Sequence, residues 1–259
     1  MAAAADPHVL FRLRRRQAQQ ARGWHSRTMT SLQGVSVLVA GATGGLGAPI
    51  SRRLALEGAQ LTLLGRDITR LEALDLEASL VTGDLREPET AVRAAAAAVE
   101  AYGHLDGLVV ASGVVAFGPV GELPDEALVD LFQLNTLAPI RLLQAALPHL
   151  AASAREDRSP FVVQLSAIVA EHPTVGMAAY SASKAALTAY DAAASRELRR
   201  AGIRLVDARP PHTETGLAER PIAGAAPRMP AGLDPDAVAA RVVAALLDDE
   251  RDLPSTSFN

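Results

Sequence analysis

The chain has 259 residues, 49% hydrophobic and 21% charged, with a formal net charge of -4, which suits one large α/β domain with a buried core. It has no cysteine, which excludes disulfides, thiolate metal sites and cysteine nucleophiles, and its six histidines lack ligand spacing, so no metal site is expected. No apolar run approaches the roughly 20 residues that cross a bilayer, and the charge balance leaves no footprint for nucleic acid outside the first thirty residues.

Residues 1–30 carry six arginines against one acid, Asp6, and no apolar signal segment. Their composition fits a disordered tail, a coding start set too far upstream with Met29 as the first residue, or an organellar leader. We take 1–33 as a disordered basic tail outside the fold, 34–259 as one domain, and the cytoplasm as the expected location.

Val35–Ala40 is a short β-branched run that ends in Gly41-Ala42-Thr43-Gly44-Gly45-Leu46-Gly47, and a helical pattern with Pro49 in its first turn follows. Strand, glycine turn and helix are the context of a dinucleotide site, whose pyrophosphate sits on the helix N-terminus. Gln60–Gly65 is the second strand. Where an acid would hold a ribose 2′-hydroxyl, the chain reads Gly65-Arg66-Asp67. A guanidinium there suits a 2′-phosphate, so NADP is expected, with NAD as the other choice; Arg66 as a solvated arginine and Asp67 as a helix cap is the competing reading.

Ser79–Asp84 is a third strand, with Asp84 at its end as a cap or an adenine contact. A helix through Ala94–Ala98 and a fourth strand, Leu105–Gly113, follow. One long helix from about Pro124 to Leu150 contains Asn135, a residue poorly suited to mid-helix and one of only two asparagines in the chain. Pro160–Ser166 is the fifth strand and Ile203–Arg209 the sixth. Pro210 to Pro235 reads as a lid-like loop. A last helix spans about Asp236 to Leu247, and Leu253–Phe258 reads as a short final strand. Alternating strands and helices predict a single Rossmann-like α/β fold, a doubly wound parallel sheet with helices on both faces.

In the helix that follows the fifth strand, Tyr180-Ser181-Ala182-Ser183-Lys184 stacks a phenol over an ammonium at i, i+4. Lys184 is the only lysine among the 25 basic residues. A nearby cation lowers a tyrosine pKa and fits it for general acid/base work. The competing reading is an ordinary Ala-rich helix with two polar residues four apart.

Taken in order, these motifs resemble the short-chain dehydrogenase/reductase family over about residues 34 to 250. Gly41, Gly45 and Gly47 are similar to its Gly-x-x-x-Gly-x-Gly cofactor turn. The resemblance implies Asn135, Tyr180 and Lys184 as catalytic residues, Asp84 as the adenine acid, and Thr213 and Thr215 at the nicotinamide carboxamide. It extends the cofactor lining to Thr43, Leu46, Leu85, Ala111, Gly113 and Lys184.

Three departures stand out: Val110-Ala111-Ser112-Gly113 replaces Asn-Asn-Ala-Gly, Pro210-Pro211 replaces Pro-Gly, and the C-terminal Asp-Gly-Gly strand is missing. A fourth concerns the catalytic serine, whose usual place thirteen residues before the tyrosine is Ala167. Either Ser166 serves after a one-residue shift, and it is taken here as the catalytic serine, or Tyr180 acts without a serine.

The resemblance implies NADP(H)-dependent reduction of a ketone or aldehyde, or oxidation of the alcohol, by a homodimer or homotetramer. A binding protein of the same fold with weak turnover, acting as redox sensor or partner-binding module, is the alternative.

Overall fold

The computed structural model describes residues 31–258, so the basic N-terminal stretch lies outside the described residues. Seven strands form one sheet in the order β3-β2-β1-β4-β5-β6-β7, every neighbouring pair parallel. They are β1 (Ser36–Ala40), β2 (Gln60–Gly65), β3 (Ala78–Thr82), β4 (Gly107–Val110), β5 (Phe161–Leu165), β6 (Arg204–Ala208) and β7 (Asp252–Leu253). The chain winds outward from β1 to β3, then returns to place β4 on the other side of β1. That reversal opens a crevice at the carboxyl ends of β1 and β4, where a doubly wound sheet binds its ligand.

The inner strands are apolar without alternation because both faces are covered. Val37, Val39, Val109 and Val163 pack on α1 (Gly47–Leu56) and α7 (Pro235–Leu247), through Ile50, Leu54, Val238 and Val242. Leu38, Ala40, Leu108 and Val162 face α3 (Pro88–Tyr102) and α5 (Ala138–Arg155). The Ala-rich run of α3 lets it lie close: Ala94 and Ala98 are fully buried.

Four details depart from the sequence reading. Leu32, in the stretch read as tail, is fully buried in the first core layer. The single long helix expected from Pro124 to Leu150 is α4 (Asp125–Phe132), a π-helical turn (Gln133–Leu137), then α5. A short α2 (Ile68–Glu72) follows β2, capped by Asp67 as the competing reading of Arg66-Asp67 had it; its carboxylate accepts from Thr69 N at 2.9 Å. The final strand is two residues long and ends in a 3-10 turn at Ser255–Phe258. Among the described residues no helix is long and apolar enough to cross a membrane.

Candidate active site

The glycine turn is built by close approach. Gly41 has φ 78°, and a Cβ there would sit 2.7 Å from Ser112 N. A Cβ on Gly47 would collide with the Gly41 carbonyl, and one on Gly45 with Thr215. Only glycine lets β1, the post-β4 segment and the segment after β6 meet there. Leu46 caps α1 without a side-chain bond, and no acid occupies the first turn of that helix, so its N-terminus is open to an anion. Beside the turn the Ser112 hydroxyl is buried without a partner. An open helix start and an orphaned hydroxyl in a glycine cradle fit a phosphate-bearing dinucleotide.

At the end of β2, Arg66 is exposed, and Arg70 from α2 donates to the Thr43 carbonyl at 3.1 Å. The Arg70 guanidinium thus flanks the corner of the glycine turn. Arg70 was missed in the sequence; its signal was an arginine one turn into the helix that Asp67 caps. Asp84 is held by Arg86 at 2.6 Å, which keeps its carboxyl below the usual range, and Arg86 reaches Asp130 as well. Leu85 is buried in the core layer beneath, and Ala111 N continues the β1–β4 ladder to the Ala40 carbonyl.

The other wall is α6 (Ala178–Arg200), which carries Tyr180 and Lys184 one turn apart, 7% and 4% exposed. The Lys184 ammonium donates to the Leu165 carbonyl at 2.8 Å. Asn135 lies in the π-helical turn, a geometry that recurs at functional sites because the extra residue re-aims a side chain. Its Oδ1 accepts from Val114 N at 2.9 Å, and its Nδ2 donates to the Val114 carbonyl at 2.9 Å and to Ser183 Oγ at 3.0 Å. Gly113 separates this amide from the lysine: a Cβ there would lie 3.0 Å from Asn135 Oδ1 and 3.4 Å from Lys184 Nζ. Asn135 and Lys184 therefore meet across Gly113, with Tyr180 one turn before Lys184 on α6.

Burial pushes the Tyr180 phenol up to about 12, the opposite direction from the lowering expected of a neighbouring cation. Burial also pulls Lys184 down to about 8, even though Asp207 and Asp191 favour its charged form.

Ser166 is not brought to the phenol. Its hydroxyl bonds the Lys184 carbonyl at 3.2 Å and Thr188 Oγ1 at 2.8 Å, on the sheet side of α6. Ala167 instead packs into the apolar cluster of Val115, Phe117, Leu131, Val169 and Tyr180. Adjacent residues on extended chain point to opposite sides, so the Ala167 methyl joins the cluster that contains Tyr180 while the Ser166 hydroxyl turns to the Lys184 carbonyl and Thr188.

After β6, Thr213 donates to the Pro211 carbonyl at 2.9 Å, and Thr215 rests on Gly45. The loop then crosses the mouth: Ile222 N bonds the Val115 carbonyl at 2.9 Å, and Phe117 N bonds the Ala223 carbonyl at 3.0 Å.

A family model described as short chain dehydrogenase matches residues 35–223. The chain belongs to the short-chain dehydrogenase family. Among curated members of that family, it is 29% identical over 203 residues to the mouse dehydrogenase/reductase SDR family member 7B, covering 74% of this chain and 62% of that protein. It is 31% identical over 199 residues to the 1-deoxy-11-beta-hydroxypentalenate dehydrogenase of Streptomyces exfoliatus, covering 73% and 70%. A solved dehydrogenase/reductase from Sinorhizobium meliloti superposes with TM-score 0.75 at 27% identity, over 89% of this chain and 97% of that one. A short chain dehydrogenase from Burkholderia cenocepacia, solved in complex with NADP, shares the fold with TM-score 0.75 at 23% identity, over 86% and 89%. As a member of this family the chain is an oxidoreductase.

Proposed function

We propose that this short-chain dehydrogenase uses NADP(H) to reduce a ketone or aldehyde, or to oxidise the corresponding alcohol, with Tyr180 as general acid/base. What supports the reading is that Asn135 and Lys184 meet across Gly113, next in the chain to the Ser112 that Gly41 approaches, with Tyr180 one turn before Lys184 on α6. When bound, the cofactor supplies the hydride and a ring that turns positive on oxidation. The glycine turn and the open start of α1 would hold the pyrophosphate, Arg66 and Arg70 the 2′-phosphate, Asp84 and Leu85 the adenine end, and Lys184 the nicotinamide ribose. Thr213 and Thr215 would close over the carboxamide.

In reduction, Tyr180 gives its proton to the oxygen that becomes the alcohol, and the ammonium of Lys184 stabilises the phenolate left behind. Asn135 fixes the π-helical turn and would anchor a water that resupplies that proton through Lys184. Ala167 leaves no hydroxyl at the usual place, so Tyr180 polarises the carbonyl without a serine, and Ser166 anchors β5 to α6. The cluster around Tyr180 is apolar, which favours a fairly apolar carbonyl compound of medium size. Half-exposed Leu128, Val129, Leu137 and Leu147 on α4, the π-helical turn and α5 support a homodimer or homotetramer.

Incubation with NADPH and a panel of apolar ketones tests the reading. NADPH oxidation is expected, with a loss of roughly a hundredfold or more in Tyr180→Phe. NADPH is expected to bind more tightly than NADH, and the preference to shrink in Arg66→Ala/Arg70→Ala, measured by cofactor fluorescence. Tight NADPH binding with no oxidation in either protein would favour the sensor, the reading that Ala167 supports.

A further inference from the structure

The sheet-facing side of α6 carries Lys184, Thr188 and Asp191, at i, i+4 and i+7, in one stripe. Across from it stand Ser166 and Gln164 of the β5 segment and Asp207 of β6, with Gln164 and Asp207 paired in register. A polar layer is thus sealed between helix and sheet, directly behind the site lysine. Three of its side chains are short of partners. Asp191 is 1% exposed, and neither carboxylate oxygen has a hydrogen-bond partner. Gln164 is fully buried with both amide atoms unpaired, and Asp207 leaves Oδ1 unpaired while Oδ2 accepts from Arg209 at 2.6 Å. Buried polar groups are nearly always satisfied, so such a cluster beside a catalytic group calls for an explanation.

Lys184 supplies one. A buried ammonium costs free energy unless negative charge faces it, and its hydrogen-bond partner, the Leu165 carbonyl, is neutral. On α6 itself the other titratable groups nearby are Tyr180 and Tyr190. From β6 come Asp207 and Arg209, and from the segment after β5 comes Glu171, which with Asp252 of β7 is bound to Arg209 at 2.6 and 2.7 Å. The π-helical turn presents the uncharged Asn135; on α4, Asp125 and Glu126 are exposed and Asp130 reaches Arg86. With Glu171, Asp252 and one oxygen of Asp207 committed to Arg209, Asp207 through its second oxygen and Asp191 are the buried acids that favour the ammonium, and Asp191 is the one whose carboxylate has no hydrogen-bond partner of its own.

Resting on the reading of Tyr180 and Lys184 as the acid/base couple, we propose that Asp191 is a positioning residue for it: through its buried carboxyl, backed by Asp207, it keeps the site's one amine in the ammonium form. Burial and Asp207 push Asp191 up to about 8, close to where burial pulls Lys184. When pH rises into that range, one proton leaves the pair. Losing it from Asp191 leaves an attracting pair of opposite charges, whereas losing it from Lys184 leaves two neutral groups; under the proposal the attraction decides and the amine stays charged to higher pH.

The single lysine makes this directly measurable. Protein grown on side-chain 13C-labelled lysine gives one side-chain signal, whose shift titrates the Lys184 amine from about pH 6 to about pH 10. In Asp191→Asn the midpoint is expected to fall by about one pH unit, while Glu197→Gln, an exposed acid on the same helix, leaves it in place. Asp191→Ser is expected to match Asp191→Asn. An unmoved midpoint in both Asp191 variants overturns the proposal, as does an equal shift in Glu197→Gln. Loss of folded protein in both Asp191 variants also overturns it, because a carboxyl without partners does not hold the fold. The amine is read without substrate, so a moved midpoint in a protein that reduces no carbonyl compound sinks the enzyme reading alone. An unmoved midpoint in an active enzyme sinks this inference alone.

Discussion

Ala167 is the residue on which the chemistry of the site turns. It packs into the cluster that contains Tyr180 where the family resemblance implies a serine, while the hydroxyl of Ser166 is tied to the Lys184 carbonyl and Thr188. Under the proposed function a carbonyl bound there would meet one oxygen donor, the phenol, whose proton burial holds firmly. One preorganised donor is typically worth about a hundredfold in rate. Ala167→Ser is therefore expected to raise kcat for a reactive ketone several-fold or more. Ser166→Ala should leave kcat within about threefold and lower stability by about 1 kcal/mol. Steady-state kinetics with parallel melting curves separates the two. If Ser166→Ala abolished turnover at unchanged melting temperature, Ser166 would be the catalytic hydroxyl after all. Sequence alone left this open because a one-residue shift in a loop costs little, whereas the strand parity of 166 and 167 is visible only once β5 and α6 are placed.

Elements were legible where the chain repeats a period, and were lost where a local device interrupts it. β2 at 60–65 and the helix after Gly47 follow directly from apolar runs between glycines. The π-helical turn did not, because Gln133–Leu137 continues the helical pattern and nothing in it breaks a helix. Asn135 was its one trace, a rare residue in a place that disfavours it. The structure supplies the reason: the widened turn points the amide at Val114, where it satisfies a backbone N–H and a backbone carbonyl together, and reaches Ser183 on α6. That amide staples the post-β4 segment to two helices. Asn135→Ala leaves the Val114 groups unpaired beside the crevice and is expected to cost about 2–4 kcal/mol, a fall of roughly 5–15 °C in melting temperature for a domain of this size. A fall below about 2 °C would mean that the turn is held by packing alone.

Taken as one molecule, the domain carries two sets of acids that respond to pH in opposite directions. Asp84, Glu171 and Glu250 are held below the ordinary carboxylate range by Arg86, by Ser255 with Arg209, and by Arg241 respectively. Their contribution is present above the unfolded carboxylate range and is lost as pH falls below about 4.5. Asp191 works the other way: burial and Asp207 raise it to about 8, so its contribution is complete below about pH 4 and is lost as pH climbs toward 8. Asp207 is raised too and adds in the same direction. Lys184, lowered to about 8, stays protonated in both folded and unfolded chains until that pH and leaves the interval flat. Stability should therefore peak in weak acid rather than at neutrality. Melting temperature is expected to drop by roughly 5 °C or more between about pH 5 and about pH 8, since each kcal/mol is worth about 2–4 °C here. Most of that drop should vanish in Asp191→Asn, which keeps the shape of the side chain and removes its charge. Calorimetry at the two pH values decides it: parallel declines in the two proteins would mean that Asp191 is already charged at pH 5, and that the polar layer behind Lys184 is better solvated than its burial implies.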